Sequence, residues 1–375
     1  MIEYIPQTII VFAITSLFIW RCVPLAVYLG FIDKPGGHKT HQGQIPVIGG
    51  LAMFVGISTS IILLGLPIEK VMPVMMAGLL VLIIGMLDDK LFLSAYTRFL
   101  IQISAALIFI MGDNVLLMSM GQLVDADTFY LRGWALPITI FATVGVINSL
   151  NMVDGLDGLA GSLSIVTFGS VAMLFSITGD ASGYFIVPVI FISAVMGFLM
   201  FNLRTPWLNK AKIFMGNGGS MLLGVFTAWL LIKFSQGPAA AFNPAVALWI
   251  FAIPLLDTVT IMLRRIKKGR SPFCPDQEHL HHLFMKMGFS VGQSVSWVIG
   301  VASVLAILGI FGQIYHFQEA TLFYGFLILF ALYFLTMEKS WKAMHTRLPA
   351  EASNQVLPNV DHPIVSPVKR NFYKD

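Results

Sequence analysis

Long apolar stretches recur along this chain, and they restrict its fold more than any other feature. Hydrophobic residues fill 57% of the 375 positions and charged residues only 11%, whereas a soluble domain carries about a quarter charged residues. Eleven stretches are each long enough for a helix that crosses the hydrocarbon core, which takes about 20 residues. They cover approximately residues 8–30, 47–66, 71–87, 95–112, 130–148, 159–179, 184–202, 213–232, 243–263, 293–315 and 320–337. Because they are too long for barrel strands, they predict an all-α polytopic membrane protein with about eleven transmembrane helices.

The two ends of the chain differ from its apolar middle. The first stretch follows Glu3 and has neither a basic region nor a small-residue cleavage signal, so we expect a retained span rather than a signal peptide. The last residues are polar and contain prolines. The predicted domains are therefore an integral membrane domain over 1–337 and a cytoplasmic tail over 338–375.

Basic residues favour one orientation in the membrane. One set of loops, together with the tail and Arg98, holds 19 of the 23 lysines and arginines. This set consists of residues 31–46, 88–94, 149–158, 203–212 and 264–292. The opposite loops hold Lys70, Arg132 and Lys233. Because basic loops stay in the cytoplasm, we expect a periplasmic N-terminus and a cytoplasmic C-terminus.

Five polar stretches share the predicted cytoplasmic face. They read LDDK, NMVDGLDG, FMGNGGS, SPFCPDQEHLHH and KPGGHKTHQGQIPVIGG. Each alone has an ordinary explanation as a solvated helix end, a tight turn or a group of surface histidines. The predicted topology uses only apolar length and basic residues. The grouping of the five polar stretches on one face is therefore independent of the data that define the topology. It predicts one site at that membrane surface.

The residue types in these stretches suit a metal ion and phosphates. Mg²⁺ usually keeps several waters and binds through one or two carboxylates plus substrate phosphates. Glycine-rich helix starts such as DGLDG and MGNGGS present free N–H groups to an anion. Basic residues of the 264–292 loop can take up remaining phosphate charge, namely Arg264, Arg265, Lys267, Lys268 and Arg270. The pattern indicates phosphoryl transfer between a soluble nucleotide and a lipid phosphate, and without GxxxxGK[ST] it is not a P-loop enzyme.

Two other kinds of function compete with this one. A transporter would line a path near the membrane midplane with polar residues, but the predicted spans carry few charges there. A non-catalytic lipid or nucleotide binder would keep the nucleotide motif and the histidines but lose the metal. Asp257 lies within the 243–263 stretch, where an acid is costly; it either supports the site or bonds to a neighbouring helix.

In order and position, LDD, NxxDGLDGLAG, FMGxxGS and PDxxHxHH resemble the motifs of the polyprenyl-phosphate N-acetylhexosamine-1-phosphate transferases, glycosyltransferase family 4. The resemblance covers nearly the whole chain, and SPFxPDxxHxHH favours the bacterial N-acetylglucosamine subgroup. It implies transfer of N-acetylglucosamine-1-phosphate from UDP-N-acetylglucosamine to undecaprenyl phosphate with release of UMP. The alternatives are another UDP-N-acetylhexosamine or a metal-impaired nucleotide or lipid binder.

The same resemblance implies a cofactor, a location and partners. The cofactor would be Mg²⁺ or Mn²⁺, and the enzyme would lie in the bacterial inner membrane with its active site facing the cytoplasm. Its reaction would be the first membrane step of O-antigen or enterobacterial common antigen synthesis. Beyond the two substrates, the protein would contact the lipid bilayer and would bind no nucleic acid. A homodimer is one possible assembly.

Individual residues acquire roles from the family motifs. One of the acid pair would deprotonate the lipid phosphate or help to hold the metal, although an acceptor that is already an oxyanion needs no strong base. The implied catalytic residues are Asp88, Asp89, Asp154, Asp157, His279, His281 and His282. The implied metal ligands are Asn217, Asp88, Asp89 and Asp154. The implied substrate-binding residues, with two arginines added from the phosphate argument, are Lys39, His41, Asn151, Gly155, Leu156, Asp157, Phe214, Arg264 and Arg265.

One position departs from the family pattern. Where the family reads FMGD, with an aspartate that the resemblance makes the central metal ligand, this chain has Asn217. Asparagine keeps one oxygen but loses the charge, and a neutral amide is a weaker ligand for a hard dication. Three interpretations are open: an engineered inactive variant, a natural homologue with weak or shifted metal use, or compensation by neighbouring acids.

Asn217→Asp is therefore expected to raise both metal affinity and turnover, because it restores a carboxylate to the ligand set. Metal titrations of UMP release by the two forms measure the change. Equal activity in both forms would contradict the prediction that position 217 is a principal ligand.

Overall fold

The computed structural model describes residues 4–33, 44–63, 65, 68–124, 127–179, 183–237, 240–272 and 278–347. Within these residues α-helices dominate. They are α1 (Ile5–Tyr28), α2 (Gly49–Leu63), α3 (Ile68–Leu91), α4 (Ala95–Asp113), α5 (Ala135–Val153), α6 (Leu159–Thr178), α7 (Ile186–Asn202), α8 (Gly216–Lys233), α9 (Pro244–Ile250), α10 (Ala252–Lys267), α11 (Leu280–Lys286), α12 (Val291–Ile314) and α13 (Glu319–Arg347). A short antiparallel pair joins β1 (Ile32–Asp33) to β2 (Ile45–Pro46).

The lengths and compositions of these helices confirm an all-α polytopic membrane protein. In the described part of the chain, seven helices are long and apolar enough to cross a membrane, or eight if the bent pair α9–α10 is one span. The seven are Ile5–Tyr28, Val71–Leu91, Ala95–Asp113, Arg132–Val153, Leu159–Thr178, Val291–Ile314 and Glu319–Met344. Helices α2 and α7 are apolar but shorter. The total of eleven spans and the sidedness of the two termini stay predictions.

The stretch predicted as one span over 243–263 folds as two helices. Helices α9 and α10 meet at Phe251 with a bend of 83°. Pro254 has no N–H to donate to the Ile250 carbonyl four residues earlier, and the Thr167 hydroxyl donates to that carbonyl instead, at 3.2 Å. One straight helix is therefore excluded here, and Asp257 lies on the second member of the pair.

Helix α13 continues past residue 337, the predicted end of the last span. Met337 and Trp341 are almost completely buried, and they pack with Leu283 of α11 in a small apolar cluster. Burial of these side chains accounts for the extension, since it stabilises the last turns of α13 against α11. The polar end of the chain thus contributes to the placement of the histidine-bearing helix α11.

Helix α8 lies at the centre of the bundle. Its residues are buried from Gly218 almost to its end, and it packs against α3 and α5. A Cβ added at Gly85 of α3 would lie only 2.3 Å from the Gly218 Cα, so the two backbones touch. Small residues commonly permit such close contacts between membrane helices. This contact places the first turn of α8 beside the end of α3, which carries the Asp88–Asp89 pair.

Gly85→Ala is expected to lower thermal stability in detergent, because the added methyl would meet the Gly218 backbone rather than a movable side chain. Overpacking of this kind costs typically about 1–3 kcal/mol. Gly145→Ala in α5 is the matched control, since a Cβ there meets nothing within 4 Å. Thermal unfolding followed by size-exclusion chromatography measures both variants. Equal midpoints for the two would contradict the close α3–α8 contact.

Candidate active site

A cavity of about 1160 Å³ lies where the ends of several helices meet. Its wall comes from the β1–β2 pair, the end of α3, the α5–α6 connection, the start of α8 and α11. Nine predicted site residues line it: Asp88, Asp89, Asp154, Gly155, Leu156, Asp157, Phe214, Asn217 and His282. Four stretches that are far apart in the sequence therefore contribute to one cavity, and the roles of their residues stay predictions.

Position 217 links two elements of the cavity through its amide. The Asn217 Nδ2 donates to Asp88 Oδ2 at 2.9 Å, and the Asn217 Oδ1 accepts from Asn151 Nδ2 at 3.1 Å. Asn151 also donates to the Ser220 hydroxyl at 2.9 Å, so it lies behind Asn217. An aspartate at 217 would instead place a carboxylate against that of Asp88, an arrangement that requires a cation or a shared proton.

The Asp88 carboxylate is almost fully buried, with 3% of the residue exposed, and three donors surround it. They are the Leu93 backbone N–H at 2.8 Å, the Asn217 amide at 2.9 Å and an Arg98 guanidinium nitrogen at 3.4 Å. Buried carboxylate oxygens are normally satisfied by hydrogen bonds of this kind. These bonds join the end of α3 to α4 and α8.

Asp89 faces the first turn of α8. Both of its carboxylate oxygens accept from the Asn217 backbone N–H, at 3.1 and 3.2 Å. Gly216 makes this approach possible: its φ is +74°, and a Cβ there would lie 2.6 Å from Asp89 Oδ2. The conformation and the space both require glycine. A negative charge is also favourable at this positive end of the helix.

Asp154 ends α5 and is the least compensated acid of the cavity. Burial raises its pKa to about 7, and the negative charges of Asp89 and then Asp157 add to that shift. The ionised form of Asp154 therefore places a costly negative charge in the wall of the cavity. A cation or a positively charged group of a ligand would offset this charge.

The α5–α6 connection is held by two residues that the motif analysis missed. Arg204 Nε donates to Asp157 Oδ2 at 2.6 Å. Asn202 Oδ1 accepts from the Gly158 N–H at 2.7 Å, and its Nδ2 donates to the Ile213 carbonyl at 2.9 Å. Both residues line the cavity. Their position just where an apolar stretch ends is the signal that could have identified them.

The three histidines differ in their access to the cavity. His282 lines it, whereas His279 and His281 are buried, with 5% and 2% exposed. The His281 ring packs on the α5–α6 connection, since a Cβ at Gly155 would lie 2.4 Å from its Nε2. Burial, followed by the charges of His282 and His279, lowers the pKa of His281 to about 3. His281 is thus neutral at physiological pH, and contact with a phosphate stays a prediction for all three histidines.

The two predicted arginines have partners within the protein. Arg264 pairs with Glu278 at 2.9 Å, and Arg265 donates to the Pro272 carbonyl. Among the described residues that line the cavity neither arginine is found. Their side chains anchor the segment before α11 rather than a ligand in this arrangement.

Backbone contacts hold Phe214 at the cavity beside the first loop. Its N–H donates to the Pro46 carbonyl at 2.8 Å, and its carbonyl accepts from the Gly49 N–H at 3.0 Å. Lys39 and His41, which were expected in this loop, lie outside the described residues. Strands β1 and β2 flank the loop and contribute Ile32, Asp33 and Ile45 to the wall of the cavity.

The donor set fits a weakly held divalent cation rather than a preformed cage. In the part of the chain described here, no group of three or more His, Cys, Asp or Glu side chains lies close enough to hold a metal. Mg²⁺ needs only one or two protein carboxylates when substrate phosphates complete its coordination. The under-compensated Asp154 next to Asp89 meets that need, and Asn217 Oδ1 is a neutral oxygen nearby.

Comparison with known proteins identifies the family of this membrane protein. The model of glycosyl transferase family 4 matches residues 71–235. The undecaprenyl-phosphate alpha-N-acetylglucosaminyl 1-phosphate transferase of Escherichia coli strain K12 is 35% identical over 333 residues, which are 88% of this chain and 90% of that one. The proteins of the same name from Haemophilus influenzae and Yersinia pestis are 38% and 34% identical, over 88% and 90% of this chain and 92% of each relative.

The fold, the cavity and these matches together define a polytopic membrane phosphoglycosyltransferase. The chain belongs to glycosyl transferase family 4. The resemblance carried by its four motifs is thereby confirmed.

Asp154→Asn is expected to stabilise the metal-free protein more at pH 8 than at pH 5. The folded protein holds the Asp154 proton up to pH about 7, whereas the unfolded chain releases it near the ordinary aspartate value of 3.8. The folded state therefore binds more protons between these values, and its stability falls as the pH rises through them. The amide removes this loss.

Thermal midpoints in EDTA at pH 5 and pH 8 test this expectation. Asp157→Asn is the comparison variant, since it removes a neighbouring charge that pairs with Arg204 and that contributes least to the raised pKa of Asp154. A difference between Asp154→Asn and the unmodified protein that stays the same at both pH values would contradict the burial of an uncompensated Asp154.

Proposed function

We propose that this protein transfers N-acetylglucosamine-1-phosphate from UDP-N-acetylglucosamine to undecaprenyl phosphate and releases UMP. The observation that carries the proposal is the convergence of four motif stretches on one cavity at the ends of apolar helices. The names of its relatives support the lipid acceptor and the N-acetylglucosaminyl group. Such an enzyme would start the assembly of a lipid-linked glycan of the O-antigen or enterobacterial common antigen type.

The chemistry requires little more than positioning and charge neutralisation. An oxygen of the lipid phosphate forms a new bond to the sugar-bearing phosphorus of the donor. The bond between that phosphorus and the bridging oxygen breaks, and UMP leaves with the electron pair. Because the lipid phosphate is already ionised near neutral pH, no residue must remove a proton from it.

The composition of the cavity wall suits two different substrates. Apolar residues that follow α1, lie in β1, or lie at and just after the end of α3 suit a lipid, and they include Phe31, Ile32, Met86 and Phe92. The α5–α6 connection and Phe214 suit a nucleotide, because glycine permits close approach and an aromatic ring can stack on a base. We infer that the lipid phosphate approaches along α3 and that the nucleotide lies against the α5–α6 connection.

Charged groups around the cavity would divide the work between substrates and metal. Asp89, Asp154 and Asn217 would hold Mg²⁺ or Mn²⁺ together with substrate phosphates. When bound, the cation would supply neutralisation of charge between two anionic phosphates. His282 and Arg204 line the same cavity and would donate hydrogen bonds to phosphate oxygens.

The membrane arrangement belongs to the same proposal. The basic residues of the loops that carry the site favour the cytoplasmic side for the cavity. A soluble UDP-sugar would enter the cavity from that side. With bacterial relatives, the bacterial inner membrane is the location that this arrangement favours.

Position 217 supports a second candidate, a nucleotide or lipid binder with impaired metal use. The Asn217 amide satisfies Asp88 and Asn151 by hydrogen bonds, so the cavity keeps its shape without a cation. Such a protein would bind UDP-sugar in EDTA as tightly as in Mg²⁺ and would release no UMP.

The purified full-length protein is expected to release UMP from UDP-N-acetylglucosamine in detergent when both undecaprenyl phosphate and Mg²⁺ are present. The reason is that the two phosphates repel each other unless their charge is offset. A coupled assay for UMP, run with UDP-N-acetylgalactosamine in parallel, measures both turnover and the choice of sugar. Omission of the lipid is the control for hydrolysis.

Each outcome of this assay separates the candidates. Turnover with the N-acetylgalactosamine donor alone would contradict the choice of sugar but not the reaction. Binding of the UDP-sugar without UMP release, in this protein and in Asn217→Asp, would contradict the transferase and favour the binder.

A further inference from the structure

Asp257 is a buried acid of α10 whose three partners lie at the beginning of α11 and on α13. It lies on α10 with 1% of its surface exposed. One carboxylate oxygen lies 2.7 Å from His279 Nδ1. The other accepts from the Leu280 backbone N–H at 3.0 Å and from the Tyr333 hydroxyl of α13 at 2.9 Å. One carboxylate therefore joins α10, α11 and α13.

This carboxylate orders the beginning of α11. It accepts the first amide of that helix, which has no partner within the helix, and it fixes the ring of the preceding His279. Because a carboxylate accepts but does not donate, the proton of His279 is held on Nδ1 and its Nε2 points away from Asp257. An uncompensated acid at this depth would be costly, so the partners also explain why the acid is tolerated.

A stack of histidine rings leads from Asp257 to the cavity. The His279 and His281 rings are parallel to within 12°, with centroids 5.4 Å apart. The His281 and His282 centroids are 4.2 Å apart. His281 also packs on Gly155, so a shift of the stack would move both His282 and the α5–α6 connection. Among the described residues that line the cavity, Asp257 is not found.

We propose that Asp257 is a positioning residue that holds His282 at the cavity through the ring of His279 and the first turn of α11. The inference rests on the proposed transferase function for its effect on turnover. The placement of the histidines by Asp257 is independent of that function. Asp257 itself touches no substrate.

Asp257→Asn is the decisive variant, and Tyr333→Phe is its matched control. Asparagine has the same shape and its oxygen can still accept from Leu280 and Tyr333, but its NH₂ group would face His279 Nδ1 and force the proton to the other nitrogen. Tyr333→Phe removes one hydrogen bond to the same carboxylate and leaves the contact with His279 intact. The two variants thus separate histidine placement from general stability.

Turnover of the full-length protein in detergent is expected to fall at least about tenfold in Asp257→Asn, as losses of supporting groups commonly do. Tyr333→Phe is expected to stay close to the unmodified protein, with similar thermal midpoints in both variants. Unchanged turnover in Asp257→Asn would overturn the proposal. So would equal losses in both variants that follow their thermal midpoints.

Modification by diethyl pyrocarbonate, read by mass spectrometry, tests the placement without any turnover. In the unmodified protein His282 is expected to react, while His279 and His281 stay protected by burial. In Asp257→Asn the two buried rings are expected to react as well. Continued protection of both would overturn the proposal. If every form lacks transferase activity yet these rings become exposed, the proposed function fails and the positioning role stands.

Discussion

The close contact between α3 and α8 is the constraint on which the rest of the site depends. Lipid offers no hydrophobic driving force between helices, so their association relies on packing and on small residues. Gly85 and Gly218 bring the two backbones together. As a result the Asn217 N–H reaches Asp89 at 3.1 Å and the Asn217 amide reaches Asp88 at 2.9 Å. The α5–α6 connection and the β1–β2 pair line the same cavity beside this contact.

The acids near the cavity fall into two groups by the way their charge is balanced. Asp88, Asp157 and Asp257 each have cationic or hydrogen-bonding partners within the protein. Asp154 lacks that balance, since its pKa is raised to about 7 by burial and by Asp89 and Asp157. The acids with partners within the protein hold structural elements together. Asp154 instead marks the place where a bound ligand or cation would offset a buried charge.

The amide at position 217 alters this balance in a specific way. The Asn217 amide donates a hydrogen bond to Asp88 and accepts one from Asn151. A neutral side chain of α8 thereby joins α3 and α5. An aspartate would join the same helices only with a cation or a shared proton between the two carboxyl groups. The departure from the family motif therefore affects the coupling between metal and structure as well as metal affinity. The proposed transferase and the proposed binder therefore differ in how strongly a bound metal would be coupled to the arrangement of these helices.

The sequence by itself determined the class of fold and the stretches that form the cavity. Apolar length predicts helices in lipid because the backbone has no other way to satisfy its polar groups, and Asp154, Asn217 and His282 lie in motifs whose residue types suit phosphate and metal. The apolar length of 243–263 did not reveal the bend at Phe251, where Pro254 leaves the Ile250 carbonyl to accept from a Thr167 hydroxyl on another helix. The sequence also assigned all three histidines, Arg264 and Arg265 to the site, whereas of these five residues His282 alone is found among the described residues that line the cavity; their roles stay predictions.

Only the tertiary structure decided which of these side chains face the cavity and which support it. Asp257 could be noticed in the sequence as a costly acid within an apolar stretch, but its partners His279 and Tyr333 lie 22 and 76 positions away. Asn202 and Arg204 follow the same pattern, since they act on the α5–α6 connection from the end of α7. The reason is physical: hydrophobic periodicity reports how each helix meets lipid, whereas burial and pairing of polar groups depend on which helices become neighbours.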